Sequence, residues 1–137
     1  MSLSVFKRVV LERANGLCEY CKSPTSIFSQ PFSIEHIIPK SRGGETSENN
    51  LALSCQGCNN YKYNKTKGLD RISGLVATLF HPRQDNWADH FAWSDDGVEI
   101  IGISSKGRVT VEELRLNRNQ LKNLRCLLVD AGIHPPE

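Results

Sequence analysis

Two Cys-x-x-Cys pairs constrain the possible folds of this chain more than any other feature. Cys18 and Cys21 form the first pair, and Cys55 and Cys58 form the second. Cysteines at this spacing reach one ion from a tight turn, and four thiolates complete the tetrahedral shell of a structural zinc ion. Because no secretory signal opens the chain, we interpret the four as a zinc site; free thiols or disulfides are the alternatives.

Residues 33–62 contain the side chains that point to catalysis. The pair Glu35-His36 is followed by Asn50, fifteen residues after Glu35, and by Asn59, nine residues further on. Singly, each asparagine has an ordinary explanation, Asn50 as a turn residue and Asn59 as a helix cap. As a spaced set, they indicate a site made of a carboxylate, an imidazole and a carboxamide.

The local pattern predicts two strands followed by a helix. Residues 32–38 alternate as a strand does, but the site needs both Glu35 and His36, so we expect the strand to break or twist there and to end at His36. Gly43-Gly44 predicts a turn. The second strand is expected over residues 50–54. A helix is expected to begin near residue 56 and to continue to residue 66. This order would bring Glu35, His36 and Asn59 to one point.

At these residues the chain resembles the HNH nuclease family. The family pattern is an acidic residue and a histidine, then Asn-Leu, then Cys-x-x-Cys followed by Asn or His. Position 35 is Glu rather than the commoner Asp, and position 59 is Asn rather than His. The matching residues are Glu35-His36-Ile37-Ile38-Pro39, Gly43-Gly44, Asn50-Leu51, Cys55-x-x-Cys58-Asn59 and Lys62.

The resemblance implies an α+β fold with a ββα-metal finger and an endonuclease that hydrolyses DNA. It implies that His36 is the general base, that Glu35 and Asn59 bind Mg²⁺ or Mn²⁺, and that Asn50 braces the loop and orients His36. The residue chemistry agrees, because histidine titrates nearest neutral pH and oxygen ligands suit these cations. A zinc-stabilised nucleic-acid-binding module without cleavage is the alternative.

The distribution of charge favours DNA contact by the half of the chain with the candidate site. The formal net charge is only +2, but residues 1–70 carry nine Lys and Arg against six Asp and Glu, whereas residues 71–137 carry eight against nine. We expect Lys40, Arg42, Lys62 and Lys65 to contact phosphates. A solvated surface, or cations at a helix C-terminus, is the alternative.

Composition indicates a soluble, cytoplasmic protein with a small core. Hydrophobic residues make up 39% of the 137 residues and charged residues 23%, and no apolar run is long enough to cross a membrane. We predict a nuclease core over residues 1–68 and a C-terminal extension over residues 69–137, packed on the core. The extension resembles one found in a group of small bacterial HNH proteins.

Outside the motif, the sequence predicts several further elements. Residues 5–13 are expected to form a helix capped by Ser4 and stopped at Asn15-Gly16. Residues 70–80 are expected to form a short helix or an irregular segment. Residues 87–93 and 98–103 read as two strands of a hairpin, because Asp-Asp-Gly separates them. Thr110 is expected to cap a short helix, and residues 118–131 a second one.

The remaining histidines and the fifth cysteine are weaker candidates for chemistry. His81 and His90 stay as possible alternatives to His36, and His134 is excluded. Cys126 lies in an apolar helical pattern, which predicts a buried, inert thiol.

Overall fold

The computed structural model describes residues 3–136, which divide into two compact units. Unit 1 contains the chain up to residue 66 together with residues 81–85, and unit 2 contains residues 67–80 and the chain from residue 86. The mixture of helices and strands confirms the α+β content. No helix among the described residues is long and apolar enough to cross a bilayer. The domain boundary after residue 68 remains a prediction.

Unit 1 begins with a 3-10 turn, Leu3–Phe6, that leads into helix α1, Lys7–Arg13. Phe6 occupies the N-cap position and makes no side-chain cap, so the assignment of Ser4 as the cap was wrong. Left-handed backbone at Asn15 and Gly16 follows the end of α1, as the Asn-Gly pair predicts.

Two antiparallel strands and a helix form the centre of unit 1. Strand β1, Ser33–His36, pairs with β2, Leu51–Ser54, in a register that places His36 opposite Leu51. Helix α2, Gln56–Lys62, follows directly. It ends four residues earlier than predicted, because Tyr63 takes a positive φ of 48° that a helix cannot continue through.

The apolar core of unit 1 is small. Val10 and Ala14 of α1 pack against Leu51 and Leu53 of β2, and all four are buried. Half-buried side chains close this cluster, among them Phe6, Phe32 and Ile34. Burying one large aliphatic side chain contributes roughly 1.5–3 kcal/mol to stability. Because this cluster is small, other contacts contribute a substantial share of the stability of unit 1.

The loop between β1 and β2 is tightly folded around glycine. A Cβ at Gly44 would collide with the carbonyl oxygen of Ile38 and lie 2.9 Å from Nδ2 of Asn50. Gly43 has a φ of 88°, which closes the 3-10 turn Lys40–Arg42. The Gly-Gly dipeptide therefore serves both a left-handed turn and a close backbone approach.

Unit 2 opens with a hairpin where a helix or an irregular segment was expected. Strand β3, Lys67–Leu69, pairs with β4, Val76–Thr78, and Asp70 accepts backbone hydrogen bonds in the turn between them. Residues 70–75 are irregular, as one of the two predictions had it, whereas β4 was missed because a strand of three residues shows no alternating pattern long enough to recognise. Gly74, which argued against a helix, supplies a positive φ in this turn.

A second hairpin and three helices complete unit 2. Helix α3, Trp87–His90, precedes β5, Phe91–Trp93, so only the end of the predicted first strand is extended. Strand β5 pairs with β6, Ile100–Gly102, as the Asp-Asp-Gly turn indicates. Helices α4, Ser105–Glu113, and α5, Asn119–Asp130, follow, the latter within one residue of its predicted bounds.

Two details of these helices differ from the sequence predictions. Ser104, not Thr110, caps α4, and its hydroxyl accepts from the N–H of Gly107. Thr110 lies inside the helix, where its hydroxyl donates to Lys106 and accepts from the N–H of Phe80. The thiol of Cys126 is exposed rather than buried, because Arg125 and Leu128 take the inward positions of α5.

Candidate active site and metal cluster

The four cysteines of the two pairs meet in the interior of unit 1. All four are buried, and their sulfur atoms lie within 4.8 Å of one another. Sγ of Cys21 and Sγ of Cys55 are 3.8 Å apart. Tetrahedral bonds of about 2.3 Å place neighbouring sulfurs about 3.8 Å apart, so this cluster fits a structural zinc ion.

Both cysteine pairs adopt the same local geometry. The N–H of Cys21 donates to Sγ of Cys18, and the N–H of Cys58 donates to Sγ of Cys55, each at 3.5 Å. Burial raises the pKa of Cys18, while hydrogen bonds from the neighbouring thiols lower the pKa of Cys55. Four thiolates at this spacing would repel one another without a cation between them, and their geometry is compatible with a zinc ion in that place.

Glu35 is a buried carboxylate with a defined partner on each oxygen. The hydroxyl of Tyr20 donates to Oε1, and Nζ of Lys62 lies 3.1 Å from Oε2. Burial raises the pKa of Glu35, and the charge of Lys62 opposes this effect. Burial and then the carboxylate raise the pKa of Tyr20, which keeps its phenol protonated as the donor.

His36 lies at the end of β1 and is half-buried. Its Nε2 is 2.8 Å from the hydroxyl of Thr46, so the opposite loop orients the ring. Burial, followed by the positive charges of Lys40 and Lys62, lowers the pKa of His36. The imidazole is therefore biased towards the neutral form that a general base requires.

Asn50 holds the loop that covers this end of the two strands. Its Oδ1 accepts from the N–H of Ile38 at 2.8 Å, and its Nδ2 donates to the carbonyls of Ile38 and Glu45. These contacts brace the loop. The hydrogen bond to the His36 ring is made by the hydroxyl of Thr46. Asn50 contacts the residue after His36, because its backbone carbonyl accepts from the N–H of Ile37.

Three of the four residues predicted for the catalytic site line one open depression, and Asn50 is not among its lining residues. Glu35, His36 and Asn59 share a space of about 340 Å³, and Lys40 and Tyr63 also line it. A carboxylate and a carboxamide are the hard oxygen donors that Mg²⁺ and Mn²⁺ prefer. Each Glu35 oxygen has two lone pairs, so one hydrogen bond to each leaves acceptor capacity for a cation.

A larger depression of about 470 Å³ lies elsewhere in unit 1. Apolar side chains such as Leu3, Leu11 and Phe32 contribute most of its lining. We assign the chemistry to the smaller depression, because it contains the imidazole and the oxygen donors.

The four cations predicted to contact DNA have different positions. Lys40 and Arg42 are exposed, and Lys65 is half-buried. Lys62 is only 1% exposed, with its ammonium on Glu35 and on the carbonyls of Ile37 and His36. We therefore remove Lys62 from the set of phosphate contacts, since its charge is engaged inside unit 1.

The remaining histidines make structural contacts. In unit 1, Nδ1 of His81 accepts from the N–H groups of Arg83 and Gln84. In unit 2, Nδ1 of His90 lies 2.7 Å from the hydroxyl of Ser104, and Nε2 of His134 lies 2.9 Å from the carbonyl of Gly97.

Sequence reasoning missed several residues that organise the site. Tyr20 and Thr46 were not proposed, although they contact Glu35 and His36. Glu19 was also missed: its carboxylate accepts from the N–H of Leu53 and pairs with Arg83. For Glu19 and Tyr20 the available signal was their position between Cys18 and Cys21, in a turn that the structure buries.

Comparison with known proteins agrees with the geometry of unit 1. Residues 18–65 match the model of a family described as HNH endonuclease. The chain is 30% identical over 146 aligned positions to the Septu protein PtuB of Bacillus mycoides (strain KBAB4). The alignment covers 88% of this chain and 49% of the relative, so the chain spans about half the length of that protein. No solved structure matches the chain.

Proposed function

We propose, from the HNH endonuclease domain that residues 18–65 form, that this chain hydrolyses phosphodiester bonds in DNA. The supporting observation is the depression in which the imidazole of His36 lies with the oxygen donors Glu35 and Asn59. In this proposal, β1, β2 and α2 form a ββα-metal finger.

His36 acts as the general base in this proposal. Its lowered pKa keeps the ring neutral near pH 7, and its place at the end of β1 presents it to the open depression. Thr46 holds Nε2, which leaves Nδ1 as the nitrogen that accepts a proton from the attacking water. Such a base accelerates hydrolysis by about two to four orders of magnitude.

Glu35 and Asn59 would hold one Mg²⁺ or Mn²⁺ ion. The bound cation would supply neutralisation of the phosphate and stabilisation of the leaving 3′ oxygen. Asn50 keeps the loop folded over the strand ends through its three hydrogen bonds to backbone. The four cysteines hold a structural zinc ion that supports the same unit.

Lys40, Arg42 and Lys65 provide the positive charge for the DNA backbone in this proposal. The first two are exposed, and Lys40 also lines the depression. We infer a mainly electrostatic, sequence-tolerant affinity, since phosphate contacts position a duplex without reading its sequence.

The test is cleavage of supercoiled plasmid by the purified chain with Mg²⁺, Mn²⁺ or Ni²⁺, with and without EDTA. We expect nicked or linear product with at least one metal and none with EDTA. Absence of cleavage by folded, zinc-loaded protein with every metal would overturn the proposal.

One observation favours a second function, DNA binding without cleavage. Lys62 already neutralises Glu35 from inside the protein, which weakens the attraction of that carboxylate for a divalent cation. In this case the plasmid assay shows no product, while the protein still retards DNA in EDTA.

A further inference from the structure

Tyr20 connects the cysteine cluster to the candidate active site. It lies between Cys18 and Cys21 in the sequence, and its side chain is fully buried. Its hydroxyl nevertheless donates to Oε1 of Glu35, fifteen residues away on β1. A side chain from the loop that carries two cysteine ligands therefore contacts the carboxylate that lines the depression.

The second partner of Glu35 lies on the helix that carries the other cysteine pair. Lys62 lies on α2, whose N-cap is Cys55 and whose first turn contains Cys58. Its ammonium is 3.1 Å from Oε2 of Glu35. Each of the two segments that a metal at the cysteines would join thus supplies one hydrogen-bond donor to the same carboxylate.

We propose that Tyr20 is a positioning residue for Glu35, through which the cysteine cluster sets the orientation of the carboxylate that binds the divalent cation. This inference rests on the proposed function. The phenol is suited to the task because it is neutral: it directs one oxygen without adding a second positive charge beside Lys62. The side chain of Tyr20 is fully buried, so the hydroxyl has a fixed position beside the carboxylate.

The contact has a defined chemical consequence. With both hydrogen bonds present, one lone pair on each Glu35 oxygen accepts a hydrogen bond, and the second lone pair is available to a cation. Without the phenol, the carboxylate turns towards Lys62, its remaining charged partner. Loss of a hydrogen bond that orients a metal ligand typically lowers metal affinity by about 10–100-fold.

The test compares Tyr20→Phe with a matched control, Tyr61→Phe, which removes a hydroxyl from the exposed face of α2. Zinc content is measured first, and Mn²⁺ affinity is then measured by electron paramagnetic resonance without DNA. We expect one zinc per chain in both variants and about tenfold weaker Mn²⁺ binding in Tyr20→Phe alone. Cleavage by Tyr20→Phe should recover at saturating Mn²⁺, because His36 is unchanged.

Unchanged Mn²⁺ affinity in zinc-loaded Tyr20→Phe would overturn the inference while leaving the proposed function intact. Wild-type protein that neither binds Mn²⁺ nor cleaves DNA would remove both. A further weakening by Tyr20→Phe in a Glu35→Ala background would also overturn it, because Tyr20 would then act other than through the side chain at position 35.

A second measurement applies if Tyr20→Phe does not fold. The chain has three tyrosines, so the Tyr61→Phe, Tyr63→Phe double variant labelled with 3-fluorotyrosine carries one fluorine reporter, at Tyr20. We expect its ¹⁹F resonance to move on titration with Mg²⁺, since the cation redistributes charge on the carboxylate that accepts the phenol hydrogen bond. A resonance that stays still while Mg²⁺ supports cleavage would contradict the inference.

Discussion

The two units of this chain use buried polar groups in different ways. In unit 1, buried Glu35 lines the depression together with His36, buried Asn50 braces the loop between β1 and β2, and buried Lys62 contacts Glu35. In unit 2, buried Arg125 donates to the backbone carbonyls of Val98 and Leu116 and to the side chain of Asn117. The buried polar side chains of unit 1 thus line or support the candidate site, whereas buried Arg125 stabilises the fold of unit 2.

The buried apolar side chains of the two units differ in kind rather than in number. Unit 1 buries the four cysteines of the two pairs together with Val10, Ala14, Tyr20, Ile37, Leu51, Ala52 and Leu53, whereas unit 2 buries Leu79, Phe80, Phe91, Ile100, Val109, Leu114, Leu116, Leu121 and Leu128. Phe80 and Phe91 pack edge to face with their centroids 5.2 Å apart. Unit 1 also buries the charged pair Glu35 and Lys62 beside its four cysteines, and we expect a zinc ion at those cysteines to contribute to its stability.

The largest expected effect is therefore loss of the zinc site. We predict that Cys58→Ser leaves unit 1 unfolded, because the binding energy of a structural zinc ion, about 10–16 kcal/mol in small domains, is also folding energy. The measurement is zinc content together with tyrosine fluorescence, since all three tyrosines lie in unit 1. The matched control is Cys126→Ser, which changes an exposed thiol. A folded Cys58→Ser protein without zinc would remove the contrast between the units.

The next effect concerns chemistry rather than folding. We predict that His36→Ala lowers the cleavage rate by about two to four orders of magnitude, or about 3–5 kcal/mol in activation free energy, while zinc content and DNA binding stay normal. Asn59→Ala should lose activity in a way that excess Mn²⁺ partly restores, because it removes a cation ligand and not the base. The measurement is plasmid cleavage as a function of Mn²⁺ concentration. Equal rates for wild type and His36→Ala would show that His36 is not the base.

The parts of unit 1 that could be predicted are those encoded over a few neighbouring residues. The cysteine spacing, the Gly-Gly turn and the strand that ends at His36 are all local patterns, and the structure contains the cluster, the turn and that strand. Long-range contacts could not be predicted. Tyr20 reaches Glu35 across fifteen residues, and Lys62 turns inward because α2 ends there and β1 offers its carbonyls and its carboxylate.

In unit 2 as well, prediction from sequence succeeded only where the pattern was long enough to recognise. Its long helix α5 was predicted because twelve residues display a clear period, whereas the three-residue strands β3 and β4 display none. The cap of α4 was misplaced because Thr110 with Glu113 also fits the capping pattern. In the structure Thr110 lies inside α4, where its hydroxyl donates to the carbonyl of Lys106 and accepts from the N–H of Phe80.

Unit 2 should respond to loss of a buried polar group without any change at the metal site. Arg125 is 1% exposed, donates to the carbonyls of Leu116 and Val98, and lies 5.5 Å from the ring centre of Trp93. We predict that Arg125→Met destabilises unit 2 by about 2–4 kcal/mol, since carbonyls left unsatisfied in the interior cost about 1–3 kcal/mol each.

The measurement is chemical denaturation followed by tryptophan fluorescence, because Trp87 and Trp93 both lie in unit 2. Zinc content should not change. Loss of zinc from Arg125→Met at native conditions would show that the two units do not differ in the way described above.

The smallest expected effect tests which cations of unit 1 face DNA. Lys40 and Arg42 are exposed, and each is expected to contribute one phosphate contact, whereas Lys62 is committed to Glu35. Measured in EDTA, the slope of log affinity against log salt should become shallower by about 0.9 in Lys40→Ala and by the same amount in Arg42→Ala. Lys122→Ala in unit 2, which removes the same charge from another surface, should leave the slope unchanged. An unaltered slope in both Lys40→Ala and Arg42→Ala would mean that the DNA backbone lies on another face of the molecule, and that the open depression is not approached from the Gly-Gly loop.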